Sequence, residues 1–440
     1  MDSALLDELI DWLRIPSVST GGGDPAAIER AAAWVVERVR GAGGECDLVH
    51  IDGGNPLAVG ELRAQRDGAP TVLIYGHYDV QGPGPEEAWT SPPFEPTIRD
   101  GRLYARGASD DKGNFLPLLH VACAMARAGE LPVNVRVLVE GEEERAGQAV
   151  TEWVRGDDRR ADAAIVFDSS MPDPHTPTIT VGLRGIVMAH VEVRTAARNL
   201  HSGMYGGTVL NALHVLHGAL GAVMPGRDGR VREELRAGTL APSEAERGSW
   251  TRLPPGAEQI AAAGGTPVDP AAAGEFYERT GAAPSVDVNE IVGGEPRTVV
   301  PGTARASVSL RLAPGQDPHR MAAVMESLMR ATLPSGAELE VATHLAEPVL
   351  FGPEEPALAL AATALERACG RAPAFARSGG SIPIVAEMAA RGYPVIVGGF
   401  GLPGDAIHAV DESYALASLE WGEAASRELY RALAALPAGG

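Results

Sequence analysis

The sequence predicts an α/β fold in two parts: a domain with a mostly parallel sheet between helices, and an inserted ferredoxin-like β-α-β-β-α-β domain. Three observations carry that expectation. Short apolar runs, TVLIY at 71–75, VRVLV at 135–139, AAIVF at 163–167 and PVIVGGF at 394–400, lack polar alternation, as strands covered on both faces do. Helix-patterned segments at 113–128 and 146–155 fall between them, and strand–helix alternation marks an α/β chain. From about 185 to 348 the pattern changes. GIVMAHVEVRT alternates, a helix pattern follows at 208–223, and a polar Gly/Pro/Glu stretch runs to about 283. After it come PSVDVNEIVGG, ARASVSLRLAP, a helix at 318–332 and AELEVATHL, which completes the β-α-β-β-α-β order. The expected division is 1–184 with 349–440 as one domain and 185–348 as the insert. A chain of 440 residues, at about 150 per domain, accommodates it.

The chain opens on two helices. Leu5, Leu6, Leu9, Ile10 and Leu13 share one face of the first, which Pro16 ends. Ile28, Ala32, Val35, Val36 and Val39 line the second, with Gly41 as its stop.

Charge narrows the function. The net charge is −21, from 37 basic and 58 acidic side chains. That excludes a general nucleic-acid binder, which needs a basic footprint, and argues against an anionic membrane surface as partner. No apolar run is long enough to span a bilayer. MDSALLDELIDWLR is acidic and lacks a signal-peptide pattern, so the expected location is the cytoplasm. Cys46, Cys123 and Cys369 have unrelated spacings and form neither a disulfide framework nor a thiolate metal site. Lys112 is the only lysine among the 37 basic residues.

Acids and imidazoles gather where the buried runs end. Gly76-His77-Tyr78-Asp79 follows TVLIY, Glu140-Gly141-Glu142-Glu143-Glu144 follows VRVLV, and Asp168 follows AAIVF. Asp110, Asp111 and Lys112 lie in a Gly-rich stretch, and His408 comes after PVIVGGF and a Gly/Pro loop. Ligand sites of parallel sheets form at the carboxyl ends of strands, so these groups converge on one crevice. Taken singly, each has an ordinary reading: a hydrogen-bonded His-x-Asp pair, a solvated helix start, an N-cap. Together they are too many carboxylates to ionise side by side without compensating charge. Two divalent ions roughly 3.5–4 Å apart, with mixed N/O ligands and a bridging carboxylate, supply it. The donor set suits zinc, manganese or cobalt better than calcium. Water held between such ions becomes acidic enough to attack a carbonyl, with a free carboxylate taking its proton.

The runs GHYDVQ (76–81), DGRLYARGASDDKGN (100–114), VEGEEE (139–144), GLRG (182–185) and NLHSGMYGG (199–207) resemble the dinuclear metallopeptidases of the aminoacylase and carboxypeptidase type. LHSGMYGG and SGGSIPI (378–384) resemble the carnosinase-like dipeptidase branch of that family. The resemblance implies a metal-dependent hydrolase of dipeptides or very short peptides, with the insert as lid and dimerisation domain. By the same resemblance His77, Asp110 and Asp168 hold one metal, Asp110 bridges, and Glu144 and His408 hold the second. Asp79 orients His77, Glu143 is the general base, and the Asp110–Asp111 peptide bond is cis. His201 stabilises the oxyanion, serving the neighbouring subunit of a homodimer. Arg311, Ser381 and Asn289 match substrate contacts, and Lys112 matches a structural salt bridge.

Two departures leave questions open. Arg145-Ala146-Gly147 stands where the family has Gly-Ser, so a register placing base and ligand at Glu142 and Glu143 remains an alternative. GLPGDAIH before His408 also diverges. The rival activities are an N-acyl- or N-carbamoyl-amino-acid amidohydrolase, which uses the same metals, and a catalytically silent binding protein on this fold.

Overall fold

The computed structural model describes residues 3–51, 53–380 and 382–437. Its centre is a nine-stranded sheet. The strands Thr71–His77, Asn134–Glu140, Ala163–Phe167 and Val395–Gly398 run parallel to one another. Antiparallel strands flank them, Leu57–Leu62 on one side and Thr178–Leu183 on the other, and each in turn pairs antiparallel with an outer strand, Glu45–Val49 and Val349–Leu350 respectively. The unalternated runs are the parallel centre, and every residue of Ala163–Phe167 is buried. Ile165 and Val166, fully buried there, each contribute about 1.5–3 kcal/mol of transfer free energy. Because the four strands run the same way, residues 77, 140, 167 and 398 reach one edge together.

Helices cover both faces. Ser3–Leu13, Pro25–Gly41 and Lys112–Ala128 occur where the apolar periodicity places them. Helix Lys112–Ala128 crosses Leu416–Leu433 at close range: a Cβ on Gly422 would lie 2.9 Å from Pro117. The turn after Asn134–Glu140 likewise requires glycine, since a Cβ on Gly141 would sit 2.1 Å from the Tyr78 hydroxyl.

A small three-stranded sheet matters more for function than its size suggests. Arg102–Tyr104 pairs with Thr97–Arg99 on one side and Ser413–Ala415 on the other. That pairing brings the 105–111 segment against residues 402–412, some three hundred positions later.

Residues 185–346 build a second sheet, in the order Ser285–Gly293, Thr303–Leu312, Gly185–Arg194, Glu338–Ala346, antiparallel throughout. Helices Ala212–Gly221 and Pro318–Arg330 cover one face and enclose a core of their own with Val187, Val191, Val308 and Leu310. On the other face His190 is exposed and its ring meets His344 edge-on.

The polar stretch before 283 is more structured than its composition suggests. Ser243 and Glu246 form a capping box that starts helix Glu244–Ser249, and a further helix spans Gly256–Ala262. Glu246 also forms a buried bidentate pair with Arg377, at 2.6 and 3.1 Å. Trp250 donates to the Phe375 carbonyl at 2.9 Å. This segment is thereby fastened to strand Ala374–Ser378 of the central sheet.

The sequence places LHSGMYGG at the opening of the first helix of the insert, but in the structure the motif precedes the long helix, Ala212–Gly221. Leu200–His201 is a short strand paired with Val299–Val300, a single turn covers Ser202–Tyr205, and Asn211 caps the long helix. The glycines at 203, 206 and 207 explain the break, being poor helix formers.

Candidate metal centre

His77 is the last residue of its strand and is fully buried. Its Nδ1 lies 3.0 Å from the Asp79 main-chain oxygen and 3.4 Å from the Asp79 carboxylate. That leaves Nε2 pointing at Asp110 Oδ1, 3.0 Å away. The Asp79 carboxylate has a further role. It accepts from the Ser19 hydroxyl at 2.6 Å and from the Glu143 and Glu144 amides at 3.3 and 3.2 Å. One side chain therefore fixes both the imidazole and the start of the glutamate turn.

The Asp110–Asp111 peptide bond is cis. Asp110 Oδ2 lies 3.0 Å from His408 Nε2, which is also 3.0 Å from Glu144 Oε2. Among the described residues, His77, Asp110 and Asp168 form one group able to hold a metal, and Asp110, Glu144 and His408 form another. Within each group the donor atoms lie within 4.8 Å of one another. The two groups share Asp110.

The three glutamates part company here. Glu142 is buried and turned into the fold, where Ala149 N and Asn55 N donate to its two oxygens at 3.0 Å each and Arg145 pairs with it. Glu144 joins the second group, steadied by a 3.0 Å hydrogen bond from Gln81 Nε2. Glu143 lines a cavity of about 230 Å³ with Tyr75, Glu140 and Ile384. Gln81 was not singled out from the sequence, although it closes the GHYDVQ run.

The electrostatics are those of a cation site. Burial first, and the Asp110 charge second, push Asp168 and Glu144 each up to about 7. Burial also raises Glu143. The Asp110 hydrogen bond pushes His408 up to about 9. Burial opposes a charged His77, yet hydrogen bonds to Asp110 and Asp79 hold its pKa well above the ordinary value. Burial also disfavours an Asp110 anion, but His408 and His77 override it and keep the group ionised. The carboxylates thus favour positive charge at both imidazoles, and divalent cations would supply that charge in place of protons. Asp111 adds a buried Oδ1 with no hydrogen-bond partner. Mixed imidazole and carboxylate donors in two triads sharing a carboxylate fit a pair of divalent ions.

The remaining expected residues lie elsewhere. His201 is exposed, with its Nδ1 accepting from the Gly203 amide at 3.1 Å. Arg311 is half-buried on strand Thr303–Leu312, opposite Ser285 and Ile186. Asn289 is exposed at a bulge in its strand. Ser381 lies outside the described residues. Lys112 corrects an expectation: instead of a salt bridge, its buried Nζ donates to the main-chain oxygens of Trp12 and Ile15, at 3.0 Å each. Carbonyl dipoles at the end of the first helix take the place of a carboxylate.

Residues 73–432 match the description of peptidase family M20/M25/M40. The chain belongs to that family. The M20 match bears out the resemblance read from the motifs and makes the protein an enzyme of the metallopeptidase class. The chain is similar to the cysteinylglycine-S-conjugate dipeptidase of Corynebacterium striatum, 29% identical over 402 residues, covering 88% of this chain and 86% of that protein. It is also similar to the Beta-Ala-His dipeptidase of Rattus norvegicus, 31% identical over 210 residues, 44% of this chain and 42% of that protein. The fold resembles that of the M20 family metallo-carboxypeptidase Sso-CP2 from Sulfolobus solfataricus, with a TM-score of 0.85 and 25% identity over 99% of this chain and 100% of that one.

Proposed function

We propose that this M20 protein hydrolyses the peptide bond of dipeptides or very short peptides with two divalent ions, zinc or manganese, cobalt also being suited. The observation that carries the reading is the pair of donor triads sharing Asp110, with Glu143 close enough to interact with His77, Asp110 and His408. The names of the Corynebacterium and rat relatives, both dipeptidases, point to the same substrate size.

His77, Asp110 and Asp168 hold the first ion, and Asp110, Glu144 and His408 the second. When bound, the ions supply Lewis acidity at the scissile carbonyl and acidify the attacking water. Glu143 takes the proton from that water and passes it to the leaving amine. The Asp79 carboxylate, by accepting from the Glu143 amide, keeps the base in place. Arg311, Ser381 and Asn289 bind the substrate, with the Arg311 guanidinium suited to a terminal carboxylate. The expected setting is the cytoplasm; no helix among the described residues is long and apolar enough to cross a membrane.

His201 completes the site from the neighbouring subunit of a homodimer formed through the inserted domain, where it stabilises the oxyanion. The dimer is supported by the exposed apolar side chains that follow His201, since Met204, Tyr205 and Val209 are 72%, 41% and 38% exposed. His201→Ala and Glu143→Ala are each expected to be nearly inactive alone. In their heterodimer one site carries both lesions and the other neither, so co-expressed, freely exchanging subunits recover about a quarter of wild-type activity. Verified heterodimers without recovery contradict action in trans.

A panel of dipeptides, N-acyl-amino acids and N-carbamoyl-amino acids, assayed with manganese or zinc, tests the activity. Turnover confined to dipeptides supports the reading. Turnover confined to the acyl or carbamoyl compounds replaces it with an amidohydrolase, and turnover of none replaces it with a binding protein.

A further inference from the structure

We infer that Glu412 is a positioning residue for the second metal: a buried latch that locks the loop carrying His408 onto the segment carrying Asp110. The inference rests on the two-metal reading above, but its observations are independent of any reaction. Glu412 is 1% exposed. Its Oε1 accepts from the Ser109 and Asp110 amides at 3.0 and 3.1 Å. Its Oε2 accepts from the Gly107 amide at 3.0 Å and from Arg106 Nη1 at 2.7 Å. The Ala105 amide donates to the Glu412 main-chain oxygen at 3.1 Å. Residues 105–110 are thus wrapped around one carboxylate, and the last amide in the wrap belongs to Asp110 itself.

Glu412 lies four residues after His408, in an irregular loop whose Asp411 also rests on Thr90, accepting from its amide at 2.9 Å and its hydroxyl at 2.7 Å. His408, Ala406 and Asp411 have φ of 62°, 55° and 59°, a region non-glycine residues seldom occupy. Such a conformation persists only when surrounding bonds over-determine it. A second tie sits at the loop's base, where Asp405 Oδ2 accepts from the Ser109 hydroxyl at 2.7 Å and the Leu402 amide at 2.8 Å. Both ties end on the 105–110 segment. Glu412 and Asp405 therefore set the distance from His408 to Asp110 together with the small sheet that pairs Ser413–Ala415 with Arg102–Tyr104, and the central sheet does not.

The two metal groups differ in this respect. His77 and Asp168 stand at the ends of paired parallel strands, so their separation is set by the central sheet. His408 reaches the site only through the latched loop. Loss of the latch should weaken the second metal far more than the first. Partners that orient metal ligands from outside typically govern affinity by roughly 10–100-fold.

Glu412→Gln keeps the side chain's size but turns one acceptor into a donor facing amide donors. Wild type and variant, stripped of metal, would be titrated with Mn²⁺ by calorimetry and electron paramagnetic resonance, with circular dichroism reporting the fold. Wild type should bind two ions. The folded variant should lose at least about tenfold in affinity at one site and keep the other near wild type, and Glu412→Asp should restore part of that loss. Two ions at wild-type affinities in Glu412→Gln overturn the latch alone, as does equal weakening of both sites. A wild type that binds fewer than two ions overturns the two-metal reading together with it. If Glu412→Gln does not fold, Glu412→Asp, which keeps the charge but draws the carboxylate back by one methylene from the amides it holds, decides: selective weakening of one site supports the latch, and unchanged affinities overturn it.

Discussion

Glu143→Gln is expected to lower turnover by about 10²–10⁴-fold while leaving both metal ions bound. The substitution preserves size and leaves the Glu143 main-chain bond to Asp79 intact, so the turn keeps its shape and only the proton acceptor is lost. Glu144→Gln is the contrast. Its carboxylate belongs to the second donor group and lies 3.0 Å from His408, so the expected loss there is one metal ion. Metal content and kcat measured on both variants separate the roles. Loss of an ion from Glu143→Gln, with Glu144→Gln retaining two, would reverse the assignment.

Asp110→Asn is expected to disable both metal positions at once. Asp110 is the one side chain common to the two groups, with Oδ1 directed at His77 and Oδ2 at His408. An amide offers one acceptor oxygen in place of two and carries no charge, so neither ion is held as before. The fall in affinity should exceed the roughly 10–100-fold typical of supporting residues, with turnover lost along with the ions. Elemental analysis of the purified variant checks this, and a variant that retains two ions at wild-type affinity refutes the bridging role.

The parallel strands and the acids at their ends were legible because burial on both faces removes polar alternation. The runs at 71–75, 135–139 and 163–167 therefore announced where His77, the glutamates and Asp168 would emerge. The register within Glu142-Glu143-Glu144 was not legible from local pattern, since three identical side chains carry no periodicity. Distant partners separate them: Asn55 claims Glu142, whereas Asp79 and Gln81 hold the other two. Glu412, Asp405 and Lys112 escaped a functional reading because their partners include main-chain groups, which look alike in any sequence. The 240–262 segment was misread as merely polar although Ser243-x-x-Glu246 is a capping signature. The acid that caps this helix also neutralises the buried Arg377, a contact across more than a hundred residues.

The most direct test of the account is turnover of a dipeptide by thoroughly chelated protein, followed by stepwise return of manganese or zinc with the bound metal counted. The account predicts no turnover in the stripped sample, recovery on adding metal, and full activity at two ions per chain. Full turnover by a sample shown to be metal-free would contradict it.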